Sequence, residues 1–247
     1  MSTAPSSFPG GASVTLLDVY RDEAIDGICG GSPHVHLVST ECYVVVSGTG
    51  ALHTIAADGY RETPLAPGDV VWFTPGTIHR AVNHGDLRAV VVMSNAGLPE
   101  AGDAVMTFPP QVVADAAAYA EASALGDSLD EDIRSERARR RRNLAVEGFR
   151  LLSDAARKGD FGPLHDFYAS AATIVAERSA AWPEIIRTRP LQQANASLAA
   201  AEAIANGDTS HLIAAAVHQA RSPVESPAFG MCGRLRTYDV SDPQVER

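Results

Sequence analysis

The chain has 247 residues, 45% of them apolar, enough to bury a core in one large domain or two modest ones. Its net charge of -10 disfavours non-specific attraction to nucleic acid or anionic lipid, so neither is expected as a partner. No apolar run reaches bilayer-spanning length. The opening stretch, residues 1–11, lacks the basic n-region and apolar h-region of a signal peptide, so a cytoplasmic protein with a short flexible N-terminal arm is expected.

From residue 12 to about 105 the sequence reads as short strands broken by Gly, Pro and Asp, the pattern of an all-β barrel or sandwich. The expected strands run over 14–20, 34–39, 41–47, 50–56, 60–65, 69–73, 79–84 and 87–94. Turn chemistry separates them at Ser47-Gly48-Thr49-Gly50, Asp58-Gly59, Pro67-Gly68-Asp69, Pro75-Gly76 and His84-Gly85-Asp86. After Pro109-Pro110 the texture becomes Ala-rich with helical spacing. This all-α region, 111–225, predicts helices over 111–125, 131–158, 163–187, 190–206 and 210–221. Ser128 and Glu131 fit a capping box, and Gly159 and Gly207 stand where helices end. Residues 228–240 are strand-like again and can return to the barrel as an edge strand. The fold class is therefore α+β. Cys29, Cys42 and Cys232, odd in number and scattered, read as reduced thiols rather than a disulfide or zinc framework.

One constellation carries chemistry. His34 and His36 are two apart on an expected strand, so both imidazoles point to one side and can reach one ion. Glu41, after a turn, can face them from the neighbouring strand, and the segment Gly68 to Asn83 offers His79 as a fourth ligand. A single His-x-His pair is a weak signal, but His34-x-His36-x4-Glu41-x6-Gly48 followed by Gly68, Gly76, His79 and Asn83 is a specific one. At these residues the sequence resembles the cupin superfamily, with Thr74 where the family usually has proline and with Gly30 and Gly31 closer to His34 than the family's leading glycine.

The resemblance covers residues 12–95. It implies a jelly-roll β-barrel, also called a double-stranded β-helix, enclosing one divalent metal ion held by His34, His36, Glu41 and His79. Three nitrogen ligands and one carboxylate suit Fe, Mn, Ni, Co, Cu or Zn rather than Mg or Ca. Four protein ligands leave one or two positions open for water, oxygen or substrate. Strand phase adds Val38, Tyr43, Val45, Ala81 and Asn83 as expected pocket lining. Glu41 is then ligand and base, and Tyr43 orients the substrate.

Three functions are weighed. The first is an oxidoreductase of dioxygenase type, iron-dependent or using a related metal, acting on a small and largely unphosphorylated organic molecule; the resemblance includes quercetinase-like and acireductone dioxygenases. The second is a non-redox isomerase, epimerase or lyase using the metal as a Lewis acid. A phosphosugar substrate is disfavoured because residues 1–110 hold only Arg21, Arg61, Arg80 and Arg88 as basic groups, with Arg80 and Arg88 outward by phase. The third is a small-ligand binding or sensing module, ranked last because no helix-turn-helix accompanies the barrel.

Other features read blandly. The run Arg137, Arg139, Arg140, Arg141 and Arg142 spreads round a helix and reads as a solvated or interdomain face. His53 reads as a barrel-wall residue, and His165, His211 and His218 as surface histidines. Because the helical half has only thin apolar stripes, it is expected to pack on the barrel and limit access to the metal. A homodimer is expected because an open sheet edge is otherwise a liability.

Overall fold

Alternating apolar residues build seven strands before the first helix: β1 (Ser13–Val19), β2 (His34–His36), β3 (Glu41–Ala56), β4 (Gly59–Leu65), β5 (Val70–Phe73), β6 (Ile78–Met93) and β7 (Ala104–Met106). The computed structural model describes residues 8–221 and 227–240, and the backbone of 244–246. Residues 1–7 of the expected N-terminal arm lie outside these. Pro9–Gly11 forms a 3-10 turn whose Gly11 lies directly against Pro190, so this end of the arm is docked rather than free.

The barrel hangs on two long strands. The first half of β3 pairs with β5 and with the second half of β6, and the second half of β3 pairs with β4 and the first half of β6. Two turns expected from sequence, at 47–50 and 84–86, are instead bulges inside these continuous strands. The reason is mutual: Gly48 and Asp86 both adopt positive φ (75° and 52°). A side chain on Gly48 would also strike the Asp86 backbone at 2.2 Å, so the two irregularities nest and pairing resumes beyond them. β1 pairs with β6, and β2 pairs with both β6 and β7.

The helices are α1 (Pro110–Val113), α2 (Ala116–Ser123), α3 (Glu131–Ala156), α4 (Gly162–Ser179), α5 (Trp182–Ile186) and α6 (Gln192–Ala205). The helix expected over 111–125 is broken because Asp115 caps α2, accepting from Ala117 N and Ala118 N. Asp130 rather than Ser128 caps α3, accepting from Asp132 N and Ile133 N. A helix over 210–221 does not form. Only a 3-10 turn over Ser210–Ala214 does, and the chain then extends as β8 (Val217–Gln219), which pairs with β11 (Gln244–Glu246). This stretch buries no residue, so no packed face supports helix there.

The helices share a core with the barrel. Val35, Ile55, Ile78, Val105 and Phe108 pack with Ala145, Phe149, Leu152, Leu164 and Phe167. At the closest approach a Cβ on Gly148 would stand 2.0 Å from Thr107 O, so only glycine lets α3 lie on the barrel exit. Thr107 Oγ1 donates to Ala145 O (2.9 Å), and Tyr168 OH donates to Gly76 O (2.6 Å). A second core, including Leu17, Tyr43, Leu52, Phe73 and Leu87, fills the barrel itself. The chain then returns as the hairpin β9 (Ala228–Phe229) and β10 (Gly233–Thr237), and β10 runs antiparallel to β1.

Candidate metal centre

Strand β2 alternates as the His-x-His spacing requires: Val35 faces the helical core while His34 and His36 face into the barrel. Antiparallel pairing sets His34 opposite His79 at the start of β6, and Glu41 opens β3. His34, His36, Glu41 and His79 each offer one donor atom, and the four donors lie within 4.8 Å of one another, all buried. Imidazole centroids are 4.2–5.7 Å apart.

Each imidazole is oriented by its far nitrogen. His34 Nδ1 bonds Ser32 O (2.9 Å), His79 Nδ1 bonds Thr77 O (3.2 Å) and His36 Nδ1 bonds Asp103 Oδ1 (2.9 Å). One donor atom of each imidazole is thereby left within 4.8 Å of the others and of the Glu41 carboxylate. Glu41 Oε2 lies 3.2 Å from both His36 Nε2 and His79 Nε2. Yet Glu41 Oε2 and His79 Nε2 are buried without a hydrogen-bond partner. Buried polar atoms converging without partners are what a cation would satisfy, so the residues fit a transition metal with an N3O donor set.

Electrostatics follow from burial and mutual charge. Burial, with His79 and His36 nearby, holds His34 well below the usual histidine range. Burial also works against a charged His36, but the Asp103 and Glu41 carboxylates outweigh it and lift His36 to about 9. Burial opposes ionisation of Glu41 too, and the facing His79 and His36 nevertheless hold it well below the carboxylate range.

Asp103 was not singled out from the sequence. It is fully buried, holds His36, and accepts from Ser39 N through Oδ2 (2.9 Å). The signal was thin: a lone Asp after a Gly, with the short strand β7 behind it unrecognised.

A cavity of about 270 Å³ opens beside the cluster, walled by His34, His36 and Glu41 together with Leu17, Val91, Met93, Glu100, Met231, Cys232 and Leu235. Larger hollows, about 540 Å³ and about 610 Å³, lie elsewhere, and neither contains a residue of the cluster. The expected lining needs correction. Val45 and Ala81 belong to the barrel core, and Val38 packs towards the helices. Asn83 pins the β6 bulge, donating to Val19 O and accepting from Gly85 N and Leu87 N. Tyr43 is buried, its hydroxyl 3.4 Å from Sγ of the wall residue Cys232. Burial, reinforced by Cys232 and Glu41, raises the Tyr43 phenol well above its usual range, so it stays protonated. Among the described residues, none from a helix lines this cavity. The returning β9–β10 hairpin supplies the wall expected from the helices.

The remaining sequence candidates fall elsewhere. Arg80 points away from the cavity, as strand phase requires, but is buried and paired with Asp26 (2.5 Å). Arg88 pairs with Asp18 on the barrel exterior, and Arg142 with Asp22. His53 meets Tyr60 OH at 3.0 Å near α3. The three cysteines are free thiols. No helix among the described residues is long and apolar enough to cross a membrane.

Residues 26–95 match the family model of the cupin domain. No curated protein matches the chain. Among solved structures, similar proteins include Pac13, a Streptomyces nucleoside dehydratase. It is 21% identical with TM-score 0.27, over 34% of this chain and 58% of that one. A predicted oxalate decarboxylase from Thermotoga maritima is 21% identical with TM-score 0.26, over 34% of this chain and 64% of that one. An uncharacterized protein with a double-stranded β-helix domain from Klebsiella pneumoniae is 23% identical with TM-score 0.26, over 33% of this chain and 64% of that one. The chain thus spans about three-fifths of the length of these proteins.

Proposed function

We propose that this cupin barrel is a mononuclear metal-dependent oxidoreductase of dioxygenase type, acting on a small, unphosphorylated organic substrate. The observation that carries the reading is the convergence of three oriented imidazoles and one carboxylate beside a largely apolar cavity. A transition metal bound there supplies Lewis acidity and, for a redox-active ion, electron transfer between dioxygen and an organic ligand. His34, His36 and His79 hold their donor nitrogens at fixed positions and, with Glu41, would hold the ion, which would supply a binding point for a substrate oxygen. Glu41 is the buried carboxylate on that face and can accept a proton from a substrate hydroxyl.

Leu17, Val91, Met93, Met231 and Leu235 give the wall an apolar stretch that favours an apolar substrate body. Cys232, whose thiol is held protonated by burial and by the Glu41 charge, presents a weak donor backed by the Tyr43 hydroxyl. Among the described residues no Arg or Lys is in the wall, and Glu100 stands in it, so an anionic head other than a metal-binding oxygen finds no counter-charge there. The volume is below the ~300–1,000 Å³ of pockets for drug-sized ligands, which limits the substrate to a compact molecule.

Protein reconstituted with single metals, assayed for oxygen uptake with small phenols and β-dicarbonyls, tests the proposal. Metal-dependent oxygen consumption that disappears in His79→Ala supports it. Turnover of the same compounds without oxygen consumption would replace it with the non-redox reading.

A further inference from the structure

We propose that the groove between α2 and α3 is a second binding site, for an organic anion whose oxyanion head sits on Arg137, Arg140 and Arg141 and whose apolar body lies on Val112, Ala122 and Leu144. The groove has a volume of about 610 Å³, inside the usual range for small-molecule sites, and shares no wall residue with the metal cavity.

Three arginines are buried among the described residues: Arg80, Arg141 and Arg142. Arg80 has Asp26 and Arg142 has Asp22, as burying a guanidinium requires. Arg141 is the exception. It is 9% exposed, yet among the described residues it has no carboxylate partner. Its terminal nitrogens donate only to the carbonyls of Ser123 (3.4 Å) and Gly230 (2.9 Å), and its Nε has no acceptor. A cation withdrawn from water and left with two neutral dipoles is a standing cost that an anion in the groove would offset.

Two further arginines converge there. Arg137 is drawn over the loop by Leu125 O (2.9 Å), and this is possible because Gly126, at φ +64°, has no side chain: a Cβ there would stand 1.7 Å from Arg137 Nη1. It too has no carboxylate partner among the described residues. Arg140 is mostly exposed and reaches Glu136 only at 3.6 Å. Three guanidinium groups against the carboxylate of Glu121 and that of Glu136, which Arg140 shares with Arg139, leave the groove locally positive on a chain of net charge -10. Guanidinium forks match phosphate or carboxylate oxygens, and the apolar floor selects anions that carry a hydrocarbon body over inorganic ones.

The test is titration calorimetry on the full-length, metal-loaded protein with inorganic phosphate and with phenyl phosphate at low ionic strength. The expected result is saturable one-to-one binding, at least threefold tighter for phenyl phosphate and weakened by added KCl. The double variant Arg137→Gln/Arg140→Gln alters only exposed side chains and should lose at least tenfold in affinity. Leu144→Ala should narrow the preference for phenyl phosphate. Absence of saturable binding, or binding unchanged in the double variant, would overturn the proposal. So would binding that survives those substitutions but vanishes in His79→Ala, since the anion would then sit on the metal.

Discussion

Replacing Asp103 by Asn probes the link between the barrel and its metal ligands. Asp103 is fully buried, and asparagine keeps its shape and one acceptor, so Ser39 N can remain bonded while His36 loses a charged partner. Loss of such a supporting contact costs about 10–100-fold in metal affinity. A second effect opposes it. Metal binds only neutral imidazole, and in the metal-free protein His36 is protonated up to about pH 9. At pH 7 the proton therefore competes by roughly 100-fold, about 2.7 kcal/mol. Because a raised pKa means the proton is held below it and lost above it, wild-type affinity should rise about tenfold per pH unit from 7 to 9, then level off. In Asp103→Asn the His36 pKa falls, so the slope flattens over this window. Its plateau should lie about 10–100-fold below wild type at pH 9.5, while the two nearly coincide at pH 7. Competition against a chromophoric chelator across this range reads both quantities. A variant that keeps the wild-type slope and plateau would refute the role of Asp103.

His79→Ala should abolish stoichiometric metal in elemental analysis while circular dichroism stays barrel-like, because β6 keeps its pairing on both sides. Asp26→Asn removes the partner of the buried Arg80 and should cost about 3 kcal/mol in urea unfolding at pH 7. Burial opposes ionisation of Asp26, but Arg80 holds its pKa below the ordinary value. Its contribution is thus present above about pH 4 and lost as pH falls through the folded pKa, so the gap between the two proteins should close in acid; a constant gap would refute the pair. Gly148→Ala should destabilise by about 1–3 kcal/mol, since its Cβ meets the Thr107 and Phe108 backbone, where an unconstrained helix site would gain stability. A homodimer should cover the outer face of β5 and β3, where Trp72 is 67% and Val70 53% exposed; sedimentation of Trp72→Arg as a monomer beside a dimeric wild type would support that, and a monomeric wild type would reject it.

The metal ligands were legible because their geometry is local. A two-residue spacing fixes His34 and His36 on one face, the short turn over 37–40 delivers Glu41, and the turn at Gly76 delivers His79. What sequence could not give was set by long-range contact. Asp103 reaches His36 across 67 positions, and Cys232 reaches Tyr43 across 189. Nothing in the local pattern of either residue marks it. The two expected turns misled for a related reason: Gly48 and Asp86 carry turn chemistry, but each bulge is read correctly only when opposite the other. In the helical half, 210–221 has alanines enough for a helix and no surface to bury them on, so propensity alone gave the wrong answer.

The helices and the returning hairpin divide the labour around the barrel differently from what Ala-rich composition suggests. α3 and α4 seal the face behind Val35, on the side of β2 opposite the ligands, and so stiffen the strand that carries His34 and His36. The cavity side is closed by β10, which pairs with β1 in a register that sets Leu235 opposite Leu17. Both of those side chains, together with Met231 and Cys232, form the wall facing the ligands. Change in the helices should therefore act on ligand rigidity and metal affinity. Change in residues 231–237 should act on which molecule fits beside the metal, leaving the donor set intact.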